Sequence, residues 1–238
     1  MLIPSENKFA RAVELWREWN SRINVISRKD EDNIFAHHIL HSLAIARYLE
    51  IYYPSAFPSA TGKGPVSDPQ GADCTGIARP MASPEQAHNC HASFLDVGTG
   101  GGFPGIPLAM VMPEAKFTLC DSIGKKVRVA QAVADGLGLK NVECVNARVE
   151  SLPGQWDWIV SRAVTSLENF YPWVKGRFRN SILYLKGGDI ETEIAALQKK
   201  YHVPSENIRT WDINSWLNDE YFAEKFVIEV GKNYLCTP

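Results

Sequence analysis

The stretch Phe94 to Pro107, FLDVGTGGGFPGIP, constrains this chain more than any other: a short apolar run enters a turn that is almost half glycine. Glycine tolerates positive φ and has no side chain to block close approach, so such a turn lets a nucleotide-like ligand lie against the backbone. The residues that follow keep alternating. FLDVG reads as a strand, GIPLAMVM as a helix, KFTLCDS as a second strand, KKVRVAQAVADGLGL as a helix closed by glycine, and VECVNA as a third strand. WDWIVSRAV supplies a fourth strand, LENFYPWV a helix, SILYLKGG a fifth strand and DIETEIAALQKKY another helix. NIRTWDI and KFVIEVGK alternate as strands with no helix expected between them, which predicts an antiparallel ending. The pattern implies an α/β fold with an open, mostly parallel, Rossmann-like sheet, and a ligand crevice at the carboxyl ends of its first strands.

Two helices are expected ahead of the sheet. Phe9, Val13, Trp16 and Trp19 recur at three- and four-residue steps, with Ile23 continuing the stripe, and a second helical pattern runs from about Asn33 to Tyr52. Between Pro54 and Ser93 the chain is rich in Pro, Gly, Ser and Ala and shows neither period. The expected organisation is a helical cap at 1–53, an irregular insertion at 54–92 and a core at 93–238. Cys74, His88, Cys90 and His91 in the insertion are all possible zinc ligands, but they lack the paired C-x-x-C spacing of a structural site, and no metal is expected. The five cysteines are odd in number and scattered, which favours reduced thiols. With no run of eighteen apolar residues and no signal-peptide layout, a soluble, cytoplasmic protein is expected.

The glycine turn has two chemical readings. Gly100, Gly102 and Gly105 fit G-x-G-x-x-G, and Asp121 stands some twenty residues on, as a dinucleotide fold requires. Pro104 and Pro107, however, cannot donate to a pyrophosphate, and Asp96 before the turn would repel one. A carboxylate there suits an ammonium or sulfonium group, and S-adenosylmethionine carries both. Asp96 could equally be a strand-end residue that caps the turn. Asp121 suits the ribose hydroxyls of either cofactor.

The residues also match a known pattern. FLDVGTGGGFPGIPLAMVMPEAKFTLCDSIGKKVRVAQAV closely resembles the GidB/RsmG family of 16S ribosomal RNA methyltransferases. LWREWNSRINVIS and HHILHSL upstream, and NARVESL, DWIVSRAVTSLENF and LYLKGG downstream, extend the resemblance over roughly 8–52 and 93–231. It implies an S-adenosylmethionine-dependent methyltransferase fold and transfer of a methyl group to N7 of one guanosine in the decoding region of 16S RNA. The cofactor contacts it implies are Gly98, Phe103, Val149, Glu150 and Arg162. Asp96 and Asp121 come from the physical argument, and Gly100 in the turn and Ser122 in DSIGKK complete the set. The chain departs from the family at the insertion and at His41, which stands where an aspartate is usual.

N7 of guanine has a lone pair and no proton to lose, so its methylation needs no general base. The sequence fits this. No Asn or Asp followed by Pro-Pro and an aromatic follows the fourth strand, and no Pro-Cys pair is present. The catalytic set is therefore expected to be empty, with Arg162 orienting guanine, a phosphate or the cofactor carboxylate. The net charge of -2 argues against binding nucleic acid over the whole surface, but residues 116–200 hold 13 lysines and arginines against 9 acidic residues. Lys125, Lys126, Arg128, Arg148, Lys175, Arg177, Arg179 and Lys186 are the expected RNA rim. The expected partner is 16S RNA, naked or in a small-subunit particle, met by a monomer. A small-molecule methyltransferase and a cofactor-binding module without catalysis are the alternatives.

Overall fold

A computed structural model describes residues 4–54, 56–57, 92–162 and 164–231. Its centre is one seven-stranded sheet: β1 Ser93–Val97, β2 Lys116–Asp121, β3 Val142–Asn146, β4 Trp156–Arg162, β5 Phe178–Gly187, β6 Ile208–Asp212 and β7 Lys225–Gly231. The strand order is β3-β2-β1-β4-β5-β7-β6. β1 pairs in parallel with β2 and β4, β2 with β3, and β4 with β5, whereas β7 runs antiparallel to both β5 and β6. The order reverses between β1 and β4, and a parallel sheet opens its ligand crevice at such a point, beyond the carboxyl ends of the strands.

The strands are apolar on both sides because helices cover both faces. Phe94, Phe117, Trp158, Leu183 and Val227 point to one face, where α3 (Gly105–Val111) and α4 (Gly124–Gly136) pack. Leu95, Cys120, Ile159, Ile182 and Ile228 point to the other, under α5 (Leu167–Val174) and α6 (Ile190–Tyr201). The period of two is visible in adjacent residues: Phe94 and Leu95 belong to opposite cores.

The two N-terminal helices, α1 (Ala10–Asn20) and α2 (His41–Tyr52), share the first of these cores. Phe9, Val13 and Trp16 are buried as their spacing predicts, while Trp19 and Ile23 are partly buried against the same cluster. Asn20 folds the following loop back: its Oδ1 accepts from the Val25 and Ile26 amides, both at 2.9 Å, and its Nδ2 donates to the Ile26 carbonyl at 3.1 Å. Further along, Glu229 on β7 is a fully buried carboxylate. It accepts from Tyr48 on α2 at 2.6 Å, from Ser181 on β5 at 2.5 Å, and from Tyr53, and this satisfaction is what a buried charge requires.

The second N-terminal helix runs without a break over 34–52, as expected, but its first part, Ile34–Leu40, is π-helical and α2 follows from His41; a 3-10 segment Arg28–Asn33 leads into it. One expectation is corrected. The segment between β6 and β7, expected to hold no helix, contains α7 (Asn214–Leu217) and a 3-10 turn Glu220–Phe222. It is too short to show a period, and it forms because Phe222 is buried in the core and Asp219 caps the turn through the Tyr221 amide at 2.9 Å. The antiparallel pairing of β6 and β7 is as expected. Cys74, His88, Cys90 and His91 lie outside the described residues; among the described residues no group of three or more His, Cys, Asp or Glu side chains is placed to hold a metal. Cys120 and Cys144 are free thiols, pushed up to about 11 and 12 by burial. No helix among the described residues is long and apolar enough to cross a membrane.

Candidate active site

The glycine turn is closed by its own hydrogen bonds. The amides of Gly98 and Thr99 donate to the Cys120 carbonyl at 2.8 and 3.1 Å, and those of Gly102 and Phe103 both donate to the Thr99 carbonyl at 2.9 Å. The Gly100 amide donates to Asp121 Oδ2 at 3.0 Å and the Gly105 amide to Asp96 Oδ2 at 2.8 Å. These donors are therefore not available to a pyrophosphate, which is the strongest physical objection to the dinucleotide reading. The glycines are needed for space and conformation. Gly98 has φ +71°, and a Cβ there would stand 2.4 Å from Val164 Cγ2; a Cβ on Gly105 would stand 2.8 Å from Asp96 Oδ2.

Beside the turn, beyond the ends of β1, β2, β3 and β4, lies a cavity of about 400 Å³. Gly98, Asp121, Ser122, Val149, Glu150 and Arg162 form part of its wall, so six of the expected cofactor residues converge there from four separate segments. Lys126 and Arg148, expected on the RNA rim, also line it. Asp121 ends β2 with Oδ1 accepting from the Ile123 amide at 2.8 Å and Oδ2 from Gly100. Each oxygen keeps a lone pair for a hydroxyl donor. Val149 is buried in a 3-10 turn, Val149–Ser151, that Arg177 ties down from β5's entry: its guanidinium donates to the Glu150 carbonyl at 2.7 Å and to the Leu152 carbonyl.

Asp96, Gly100 and Phe103 are not in the wall. Asp96 is fully buried and caps the turn through Oδ2, which accepts from Thr99 Oγ1 at 2.7 Å and from the Gly105 amide; Oδ1 is buried without a hydrogen-bond partner among the described residues. Burial pushes its carboxyl up to about 7, against the pull of those two hydrogen bonds. Phe103 is buried between the cap and the site, stacked on Trp16 with centroids 4.2 Å apart and lying 4.9 Å from the Arg162 guanidinium carbon. Trp16 pins the turn as well, donating from Nε1 to the Gly101 carbonyl at 2.7 Å. Gly100 acts through its bond to Asp121.

The expected RNA rim divides. Lys125 and Arg128 are exposed on α4, Arg148 is exposed at the cavity wall and Lys126 is half-buried in it. Arg177 is engaged as described, Arg179 pairs with Asp157 at 3.2 Å, and Lys186 pairs with Glu193 at 2.7 Å. Lys175 is exposed beside a second cavity of about 340 Å³ near Tyr171 and Tyr201.

Sequence reasoning missed Ile123, Val164 and Trp173 in the wall; Ile123 and Val164 are the exposed large apolar side chains among the described residues. It also missed Asp30, His37 and His38, although the paired histidines of HHILHSL are visible in the sequence. His38 Nδ1 is 3.0 Å from Arg162 Nη2, and burial together with Arg162 pulls this imidazole down to about 4. His41 is buried edge-on to Phe222, its Nε2 without a partner, and burial holds it well below its ordinary value. Where an aspartate was expected from the resemblance, a neutral ring stands. Burial likewise draws Arg162 down to about 10, against nearby Tyr221, Asp96 and Asp30.

Sheet order, switch point and cavity together define a Rossmann-like methyltransferase fold. A solved structure of the same fold is magnesium protoporphyrin IX methyltransferase from Synechocystis with bound S-adenosylmethionine, at a TM-score of 0.56 and 12% identity over 93% of this chain and 97% of that one. The chain belongs to the GidB family, described as rRNA small subunit methyltransferase G, whose model matches residues 79–214. Relatives named ribosomal RNA small subunit methyltransferase G include those of Christiangramia forsetii, 38% identical over 96% of this chain and 90% of its own length, and Cytophaga hutchinsonii, 37% identical over 96% and 94%.

Proposed function

We propose that this chain transfers a methyl group from S-adenosylmethionine to N7 of a guanosine in the decoding region of 16S ribosomal RNA. The observation that carries the reading is the cavity beside the closed glycine turn, with Asp121 at its β2 edge and Arg162 at its β4 edge, in a chain of the GidB family. Its volume lies within the range of small-molecule sites, and the donor-poor turn suits a cofactor without a pyrophosphate. When bound, S-adenosylmethionine supplies an electrophilic methyl group on a sulfonium centre.

The residues of the chain bind and align. Asp121 accepts the ribose hydroxyls, Val149 flanks the adenine, and Gly98 lets the ligand approach the end of β1. Buried Asp96 contributes negative charge behind the turn once it is ionised. Because N7 has no proton to lose, no residue need act as a general base, and alignment can supply roughly 7–11 kcal/mol of the acceleration. Arg162 offers a planar set of donors at the wall, matched to a base edge or a carboxylate. Lys125, Lys126, Arg128 and Arg148 form the cationic surface that meets phosphates. The acting species is a monomer, in the cytoplasm, on RNA shaped by small-subunit proteins.

Transfer of radiolabelled methyl from S-adenosylmethionine to 16S RNA, to assembled small-subunit particles and to a pool of metabolites tests this. Label in RNA, and more of it in particles, is expected. Label in metabolites alone makes the chain a small-molecule methyltransferase, and cofactor binding without transfer makes it a binding module.

A further inference from the structure

Arg162 lines the cavity, yet one terminal nitrogen of its guanidinium is committed to a side chain from the N-terminal cap: Nη2 lies 3.0 Å from His38 Nδ1. A guanidinium has only donors, so the facing imidazole nitrogen must be a bare lone pair. The other ring nitrogen, Nε2, lies 2.5 Å from Asp30 Oδ2, and a carboxylate there requires the N–H. The two contacts agree on a single form, the neutral Nε2–H tautomer. Asp30 is fixed in turn, because its Oδ1 meets His37 Nδ1 at 2.5 Å and the His37 ring stacks on Tyr221 at 3.4 Å, 3° from parallel. Burial opposes ionisation of Asp30, but the hydrogen bonds from His37 and His38 outweigh it and hold the carboxyl below its ordinary value. The adjacent histidines lie in the π-helical segment Ile34–Leu40, an element found mostly as short insertions at functional sites.

We propose that Asp30 and His38 are a positioning pair for Arg162: the carboxylate selects the imidazole tautomer, and its lone pair anchors one end of the guanidinium so that the remaining donors face the reaction. The inference rests on the proposed function for what Arg162 does, but not for how it is held. It gives the cap a part in the chemistry, since Phe103, which lies 4.9 Å from the same guanidinium, is itself stacked on the cap's Trp16. A protonated His38 would present a second donor to Arg162 and lose the anchor.

Two measurements on the full chain test the pair. In nitrogen-15 spectra of histidine-labelled protein, which need no substrate, His38 is expected as the neutral Nε2–H tautomer at pH 7 and as a mixture of tautomers in Asp30→Ala, which leaves no acceptor at Nε2. An Nδ1–H tautomer or an imidazolium in the wild type would overturn the proposal. In RNA methylation, His38→Ala is expected to lower kcat/KM roughly tenfold to a hundredfold, as a small misplacement of an aligning group can. The same change in an Arg162→Ala background should have an effect under about twofold, because a residue acting through Arg162 has nothing left to act on. His38→Asn, whose Oδ1 can replace the lone pair, should recover much of the loss. Equal losses in both backgrounds would overturn the proposal, as would an Asn variant no better than Ala at equal melting temperature. If the wild type transfers no methyl group to RNA, the proposed function fails, and the tautomer still decides the pair.

Discussion

Asp96 shows how a sequence can mark a residue without fixing which way it faces. The sequence left open a ligand-facing charge or a cap of the turn, and the structure shows the cap, with one oxygen engaged and the other buried without a partner. Its carboxyl stands at about 7 in the fold against an ordinary 3.8. A folded-state value raised above the unfolded one contributes stability that is full below about 4 and lost as pH rises through 7, a few kcal/mol at most. Asp96→Asn keeps an oxygen for Thr99 and Gly105 and cannot ionise. Thermal melts should therefore show the wild type losing ground to this variant between pH 5 and pH 8; a difference independent of pH would contradict the buried, neutral carboxyl. Gly98, Asp121, Ser122, Val149, Glu150 and Arg162 were legible because strand ends and turns after them are marked by composition. Phe103 was legible as a residue of the turn but not as core, because one aromatic in a turn does not reveal that Trp16, far earlier in the chain, stacks upon it. Asp30 and His38 were hidden for the same reason: their chemistry depends on a contact between His38 and Arg162, 124 residues apart.

At the scale of elements, alternation fixed the order of strands and helices, since a period of two and a period of 3.6 are both visible over short windows. The helix over 34–52 was visible but the π winding of its first part was not, and α7 is shorter than the window that would show its period. Charge was the least legible property. A run of cations in sequence says nothing about which are already paired, and Arg177 is one that supports the turn Val149–Ser151 from below. Arg177→Ala should weaken cofactor binding about tenfold, the effect of leaving the half-buried Leu152 carbonyl without a charged donor and freeing the turn. It should leave the salt dependence of RNA binding unchanged, whereas Arg148→Ala should reduce that slope by about one. Calorimetric titration of S-adenosylmethionine beside RNA binding across a salt series checks both, and a reduced salt slope in Arg177→Ala would return that residue to the RNA surface.

For the whole molecule, the N-terminal helices and the sheet bury one continuous core, locked by Glu229 to α2 through Tyr48 and to β5 through Ser181. A shared core of this kind predicts that the N-terminal helices unfold together with the sheet. Denaturant curves followed by tryptophan fluorescence, to which Trp16 in the cap contributes, and by far-ultraviolet dichroism should coincide; separate midpoints would make the cap an independent domain. The N-terminal helices reach the cavity from this core, through Trp16 stacked on Phe103 and through His38, so a cavity set by β1 to β4 is backed by residues that precede it in the chain. The destination of the methyl group decides the function. The direct measurement is to express the chain in bacteria whose own 16S RNA lacks N7-methylguanosine and to map borohydride and aniline cleavage along that RNA. One new cleavage is expected, at a single guanosine in the decoding region; no cleavage, or cleavage elsewhere in the RNA, would overturn the assignment of that N7 as the acceptor.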